Sequence, residues 1–362
     1  MEYAIFEASR FTMLLGVTDT REAKELAILV TGGLGYIGSH TCVELLEAGH
    51  EVVVIDSLVN SKREVLNRIH AVTGKQVAFA FADLLDRSAV TRVFQEHAIE
   101  GVLHFAGLKA VGESVREPLR YYHTNLTGTL TLCEVMQEFN VRRLVFSSSA
   151  TVYGAQERVP LVEDLEKQPV NPYGRTKAMI EDILADLYRS DERWNIALLR
   201  YFNPVGAHKS GKMGEDPSGT PQNLMPYITQ VAIGKRKELS VYGQDYPTQD
   251  GTGVRDYIHV MDLAAGHLQA LEWVLRGVGI DAFNLGTGVG YSVFDVIGAF
   301  EKASGIKIPV RVTARRAGDV AVSYADPTKA EGVLNWRATH GLDEMCEDAW
   351  RWQLHNPHGY DG

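Results

Sequence analysis

Tyr173 and Lys177 stand four residues apart in N-P-Y-G-R-T-K, which puts a phenol and an ammonium on one face of the segment if it is helical. A nearby cation favours phenolate over phenol. A free phenol titrates near ~10, so service as a base at neutral pH requires a depressed value, at roughly 1.4 kcal/mol per unit. Asn171 and Pro172 read as the N-cap and first helical residue, which also sets Tyr173 near the positive end of the helix dipole. Ile180, Ile183, Leu184 and Leu187, at offsets 0, 3, 4 and 7, make the apolar stripe that seats such a helix on a core. Alone the pair is a weak signal, because Tyr and Lys four apart also occur on solvated helix faces.

A second group of residues could hold a phosphate ligand. In I-L-V-T-G-G-L-G-Y-I-G-S-H, Gly32, Gly35 and Gly38 follow a strand-like run and open a helix. The spacing is G-x-x-G-x-x-G rather than G-x-G-x-x-G, but the physics is shared: glycine permits the tight turn, close approach of backbone to a pyrophosphate, and helix N-terminal amides facing the anion. Asp56 ends the next β-branched run, eighteen residues beyond Gly38, where a carboxylate can accept a hydrogen bond from a ribose 2′-hydroxyl and repel a 2′-phosphate. NAD is therefore favoured over NADP, although Lys62 and Arg63 lie near enough to act the other way. The competing reading makes Asp56 a turn cap. Asp83, ending the third run, faces an adenine edge on one reading and N-caps a helix on the other.

The elements that must position these residues can be read from the pattern. Short β-branched runs at Ala27–Thr31, Glu51–Asp56, Val77–Asp83, Val102–Ala106, Leu144–Ser148 and Ile196–Arg200 alternate with amphipathic segments. That alternation signals an α/β fold, a doubly wound parallel sheet of Rossmann type with helices on both faces. After Asn203 the Gly- and Pro-rich stretch N-P-V-G-A-H-K-S-G-K-M-G-E-D-P-S-G-T-P breaks regular structure, and patterning returns at Val254–Trp273. The expected organisation is an N-terminal extension of unknown role at 1–25, a dinucleotide-binding domain at 26–202 to which 254–286 returns, and a smaller interleaved α/β substrate lobe from 203–253 and 287–362.

Composition excludes several classes. The 362 residues are 45% hydrophobic and 23% charged, ordinary for a globular protein, and the formal net charge of -10 argues against general affinity for nucleic acid or anionic membrane. Cys42, Cys133 and Cys346 are odd in number and lack C-x-x-C spacing, which fits neither a disulfide framework nor a zinc site and points to a reducing cytoplasm. No apolar run approaches the ~20 residues that span a bilayer, and the acids among the first 25 residues fit neither a secretory signal nor a transit peptide.

Taken in order, the glycine loop, Asp56, the strand R-L-V-F-S-S-S ending at Ser149, and Tyr173 with Lys177 resemble the extended short-chain dehydrogenase/reductase family. Within it, T-G-G-L-G-Y-I-G-S-H-T, H-F-A-G-L-K-A-V-G-E-S, S-S-S-A-T-V-Y-G, L-L-R-Y-F-N-P-V-G-A-H and G-T-G-V-R-D-Y-I-H-V-M-D-L-A are similar to the UDP-galactose 4-epimerases, from about Ile28 to Tyr360. The resemblance implies a cytoplasmic homodimer that interconverts UDP-galactose and UDP-glucose. Tyr173 takes the proton of the sugar 4-hydroxyl while carbon 4 gives its hydride to tightly held NAD, and the 4-keto sugar rotates and recovers the hydride on its other face. Lys177 would hold the nicotinamide ribose and depress Tyr173, and Ser149 would bond the reacting hydroxyl.

The resemblance further assigns NAD contacts to Gly32, Gly35, Tyr36, Ile37, Gly38, Asp56, Ser57, Leu58, Asn60, Ser61, Asp83, Leu84, Phe105, Ala106, Gly107, Lys109, Thr124, Asn125, Ser147, Tyr173, Lys177 and Phe202. It assigns the UDP-sugar to Ser149, Tyr173, Asn203, Asn223, Leu224, Ser240, Val241, Tyr242, Arg255, Arg316, Asp319 and Ser323. Two arginines make chemical sense against a diphosphate, since guanidinium forks match phosphate oxygens. Simpler readings compete at three positions: a strand-end turn serine at Ser149, an Arg255–Asp256 ion pair, and a core Tyr242. Bacterial members often carry Asn where this chain has Thr124, which puts one cofactor hydrogen bond in question. Others carry a bulky Tyr where this chain has Ser323, which leaves room for a 2-acetamido group and so for UDP-GlcNAc and UDP-GalNAc.

Two rivals share the fold. A nucleotide-sugar 4,6-dehydratase needs an acid pair just after the strand-end Ser/Thr, where this chain has Ala150 and Thr151. A non-catalytic NAD-binding regulator predicts a damaged Ser/Tyr/Lys set, and all three residues are present. No metal is expected: His259 and Asp262 fall in one helical stretch without a third ligand, and a structural histidine is the better reading.

Overall fold

The computed structural model describes residues 26–277, 279–316 and 319–361, so the extension expected at 1–25 lies outside the described residues. The first half alternates strand and helix: β1 (Leu26–Thr31), α1 (Tyr36–Glu47), β2 (Glu51–Asp56), α2 (Glu64–Thr73), β3 (Ala78–Phe81), α3 (Arg87–Glu96), β4 (Ala98–His104), α4 (Val111–Arg116), α5 (Pro118–Tyr122), α6 (Gly128–Glu138) and β5 (Arg143–Ser149). There follow α7 (Pro172–Ser190), β6 (Asn195–Tyr201), β7 (Asn203–Val205), α8 (Leu224–Ala232), β8 (Leu239–Tyr242), β9 (Val254–His259), α9 (Val260–Leu275) and β10 (Ile280–Leu285). The chain closes with β11 (Gly290–Ser292), α10 (Val293–Ser304), β12 (Val310–Thr313), β13 (Val322–Ser323), α11 (Thr328–Leu334) and α12 (Leu342–His355).

Seven strands form one parallel sheet in the order β10-β6-β5-β4-β1-β2-β3. Strand order reverses at β1, which pairs with both β2 and β4, and the crevice beyond the carboxyl ends of these strands is where open α/β sheets bind ligands. Each face buries its own apolar layer. Residues such as Val43 of α1, Ile69 of α2 and Leu271 of α9 fill one side, and Val93 of α3, Leu132 of α6 and Leu184 of α7 fill the other.

The smaller lobe is built on β9, which pairs with β7, β11 and β13, and on the two-stranded β8–β12 sheet. Ile228 of α8, Val241, Phe300 of α10 and Met345 of α12 form its core.

Local chemistry explains where the sequence reading erred at boundaries. β4 begins at Ala98 rather than Val102: Glu100 and Gly101 interrupt the apolar run, and the strand pairs with β1 on both sides of a bulge that leaves Glu100 out of register. β3 stops at Phe81 rather than Asp83, as suits an edge strand with one neighbour. His259 ends β9 and N-caps α9, its Nδ1 accepting from Met261 N, so it does not share a helix with Asp262. The α7 start is as the sequence indicates: Asn171 Oδ1 accepts from Gly174 N at 2.9 Å, and Pro172 takes the first helical position.

Candidate active site

A cavity of about 1190 Å³ opens at the switch point and extends to the smaller lobe. Single small-molecule sites fall in the range of ~300–1,000 Å³, so there is room for more than one ligand.

One end is the glycine turn. Gly32 has φ +69°, and a Cβ there would lie 2.7 Å from Ala106 N; at Gly38 a Cβ would lie 2.5 Å from Gly32 O. Both positions therefore exclude any side chain, which brings α1 close to β1 and leaves its first amides facing the cavity. Behind the turn a buried relay fixes the backbone. Thr129 Oγ1 donates to Asn125 O at 2.7 Å and so accepts from His104 Nε2–H at 2.9 Å, leaving His104 Nδ1 to accept from Thr31 Oγ1 at 2.8 Å. Burial, with the Lys177 charge adding to it, pushes His104 down to about 3 and keeps the ring neutral.

Asp56 decides between its two readings by arithmetic. Oδ1 accepts from Leu58 N at 2.9 Å and Ser61 Oγ at 2.7 Å, and Oδ2 accepts from Leu34 N at 3.0 Å. A carboxylate offers about four lone-pair sites, so one remains for a ribose hydroxyl while the charge stays in place against a 2′-phosphate. Lys62 is engaged elsewhere, donating to Asp216 at 2.8 Å and Asp361 at 2.6 Å, and Arg63 lies over the Phe79 ring. Glycine cradle, free amides and Asp56 together fit an NAD-type dinucleotide.

The reacting corner lies where α7 crosses the end of β5. Ser149 Oγ accepts from Thr151 N at 3.2 Å and Thr151 Oγ1 at 3.0 Å, which leaves its own proton available to the nearby Tyr173 phenol. This is the orientation that favours phenolate, and it argues against an incidental turn serine. Lys177 Nζ donates to Ser147 O at 2.5 Å and Ser147 Oγ at 3.3 Å, over the ring of Phe146.

Before a cofactor is bound, burial pushes the Tyr173 phenol above its ordinary value, and Ser149 acts in the opposite sense. The ammonium is turned toward Ser147, and burial pushes Lys177 down to about 7, with Glu181 acting in the opposite sense.

At the far end Arg316 lies 3.9 Å above the Tyr242 ring. Tyr242 is 39% exposed, which removes the core reading. Arg255 shares the same wall, and Asp256 is not its partner: that carboxylate accepts from Thr287 N, Thr287 Oγ1, Gly288 N and Ala325 N.

Most residues singled out from the sequence reach this cavity, and five do not. Leu58, at φ +58°, packs its side chain into the core and leaves Ser57 and Asn60 facing inward. Asn125 is buried with its amide spent on Leu108 N, Leu108 O and Thr176 Oγ1, so it fastens the loop carrying Gly107 to α7, while its neighbour Thr124 lines the cavity. Both sit in a single π-helical turn, His123–Thr127, of the kind that re-aims side chains. Phe202 joins a separate apolar cluster with Tyr153 and Leu161. Ser149 stands just behind Tyr173, and Ser323 pairs in register with Arg255 without entering the wall.

Sequence reasoning missed Glu215. Its Oε1 accepts from Asn223 Nδ2 at 2.8 Å and faces Lys109 Nζ at 3.7 Å, so one carboxylate joins residues assigned to different ligands. Asp262, set aside as a metal ligand, spends its carboxylate on Thr339 and His340.

A family profile described as GDP-mannose 4,6 dehydratase matches residues 29–349. The chain is 62% identical over 335 residues to a UDP-glucose 4-epimerase of Bacillus subtilis (strain 168), covering 92% of this chain and 99% of that protein. Among solved structures it resembles the Stenotrophomonas maltophila UDP-glucose 4-epimerase with bound NAD and formylated UDP-arabinopyranose, with TM-score 0.89, 52% identity, and coverage of 91% of this chain and 98% of that one. It also resembles the Bifidobacterium longum UDP-glucose 4-epimerase in complex with NAD+ and UDP, with TM-score 0.89, 50% identity, and coverage of 92% and 99%.

Proposed function

The chain belongs to the UDP-glucose 4-epimerases of the extended short-chain dehydrogenase/reductase family, and we propose that Tyr173 is the base of its reaction, with Ser149 and Lys177 as its partners. It is an isomerase that interconverts UDP-galactose and UDP-glucose with NAD. When bound, NAD would be held by the glycine turn and Asp56 and would supply the acceptor and donor of hydride for sugar carbon 4. Tyr173 Oη takes the proton of the 4-hydroxyl and gives it back after the keto sugar has turned. Ser149 donates to whichever oxygen carries the developing charge, and Lys177 holds a ribose hydroxyl and supplies the cation that the phenolate needs.

The observation that carries this assignment is that Thr151 donates twice to Ser149 Oγ, which leaves the Ser149 proton available to the nearby Tyr173 phenol. Dehydration would require an acid pair at Ala150 and Thr151, and Thr151 is spent on Ser149. The test is to incubate purified protein with UDP-galactose and no added cofactor. UDP-glucose should form from retained NAD; no product even with NAD supplied would overturn the reading.

Finer proposals follow. Ser323 is small and in register with Arg255, which supports acceptance of 2-acetamido sugars; failure to turn over UDP-GlcNAc while UDP-galactose reacts would sink it. Val115, Leu119 and Met179 expose apolar surface on α4, α5 and α7, with Leu119 82% exposed, which supports a homodimer through these helices. Sedimentation of Leu119→Glu as a monomer would support that interface. The return of α9 and β10 to the large sheet supports interleaved lobes, 26–202 with 254–286 against 203–253 with 287–362, with β9 at the head of the returning stretch paired inside the smaller lobe. Among the described residues no helix is long and apolar enough to cross a membrane, and three buried free cysteines support a reducing cytoplasm.

A further inference from the structure

Three consecutive serines of β5 each meet a side chain of α7, and the three partners are spaced by four. Ser149 pairs with Tyr173, Ser147 receives the Lys177 ammonium, and Ser148 Oγ donates to Glu181 Oε1 at 2.5 Å. The reaction proposed above uses Tyr173 and Lys177 and leaves Glu181 without a part. Glu181 is 2% exposed and is gripped by Arg200, itself 5% exposed, whose Nε donates to Oε1 at 3.0 Å and Nη2 to Oε2 at 2.7 Å. Against burial, which acts the other way, the Arg200 guanidinium and Ser148 hydroxyl hold Glu181 below the usual carboxylate range. A buried ion pair of this kind seldom adds net stability over an apolar replacement, so stability alone is a poor reason for it.

The titratable and charged groups around the Lys177 end of α7 are Tyr173 and Glu181 on its own helix, His104 on β4, Arg200 and Tyr201 on β6, and Lys167, which lies 3.4 Å from Glu181. His104 is held neutral, and Tyr201 is pushed up by burial; of these groups only Glu181 brings a fixed negative charge.

We propose that Glu181 is a positioning residue of the reaction: fixed by Arg200 and Ser148, its negative charge favours the ammonium form of Lys177, seated on Ser147 one helical turn from Tyr173, and its bond to β5 sets the register of α7. The need is physical, because burial acts against the Lys177 ammonium and Glu181, one turn further along α7 and fixed by Ser148 and Arg200, acts for it. Without it the pair shifts from phenolate and ammonium toward phenol and amine, which carries the same number of protons and cannot take the sugar's.

This inference rests on the reading of Tyr173 as base. The test is the pH profile of kcat for holoenzyme carrying Glu181→Gln, Glu181→Asp, or Glu181→Gln with Arg200→Gln. Glu181→Gln should move the alkaline limb to lower pH by about one unit and lower kcat at pH 8 about tenfold, with KM within about twofold. Glu181→Asp should restore the wild-type limb. The double variant leaves no unpaired buried guanidinium and removes one charge of each sign, so it should displace the limb in the same direction but less; a limb at the wild-type position in it overturns the role if the single variant does not fold. A folded Gln variant with the wild-type limb overturns the role, since a structural contribution alone would lower Tm and leave the limb in place. Turnover by Tyr173→Phe would instead overturn the base, and a dead Tyr173→Phe beside an unmoved Gln profile would overturn Glu181 alone.

Discussion

The two ends of the cavity are built on opposite plans. At the reacting corner the groups around Tyr173 have protein partners before any ligand arrives: Ser149 with Thr151, Lys177 with Ser147, His104 between two threonines. At the nucleotide-sugar end Tyr242, Asn203, Asn223, Arg316 and Asp319 are exposed, and they hang on short strands and turns of the smaller lobe. The difference follows from what each end must do. Proton and hydride transfer tolerate little misplacement, so their groups are fixed in advance by buried bonds. A diphosphate carries its own charge and can complete its binding groups on arrival, provided the guanidinium groups are free to move to it.

If that contrast is correct, substitutions at the first end should change rate and stability, and those at the second should change affinity. The largest expected effect is that of Tyr173→Phe, which should lower kcat by about 10³-fold while leaving UDP binding intact, as read by steady-state rate and calorimetry. A loss confined to KM would dissolve the contrast. Next is acid lability of the prebuilt frame. His104 has its folded value depressed to about 3 against ~6.5 unfolded, so its neutral form contributes stability above pH ~6.5 that is lost as pH falls toward 3. Between pH 7 and pH 5 that loss is about 2 kcal/mol, to be read as a fall in denaturant midpoint. His40 and His267, each pushed down to about 4 by burial, add in the same direction. A midpoint flat across that range would show that the frame is not held as described.

The prebuilt end was also the more legible one in sequence. Its elements are long and periodic, and Asn171, Pro172 and the stripe from Ile180 to Leu187 locate α7 without help from tertiary context. Even the third serine contact has a readable trace, since S-S-S meets Tyr, Lys and Glu at positions 173, 177 and 181. Its electrostatics were less readable: the spacing reports neither the burial that pushes Tyr173 up nor Ser147, on which the ammonium is seated. Leu58 and Asn125 failed for a related reason. Each sits among true lining residues, and only a left-handed backbone or a π-helical turn turns it away. Glu215 had no signal at all, because it lies in the Gly- and Pro-rich stretch where no period reports which way a side chain faces.

At the open end, Arg316→Ala should raise the KM for UDP-galactose about tenfold and leave kcat within about threefold, with the difference from wild type shrinking as salt is added. A kcat loss rivalling that of Tyr173→Phe would show that this end, too, orders the chemistry.

The smallest effect is expected where the two ends meet. Glu215 Oε1 receives Asn223 Nδ2 on the substrate side and faces Lys109 on the cofactor side, and Trp352 Nε1 holds the Glu215 backbone oxygen at 3.2 Å. Glu215→Gln keeps an oxygen for Asn223 and removes the charge that Lys109 faces. Because Lys109 is largely exposed, that pair is worth less than about 1 kcal/mol, and UDP affinity should fall only about threefold. A double-mutant cycle with Lys109→Met, read by UDP affinity, isolates the coupling. Below about 1 kcal/mol, the cofactor and substrate ends are assembled independently and share only a wall. Above about 2 kcal/mol, Glu215 transmits occupancy from one end to the other, and the open end would then be open only until the cofactor side is filled.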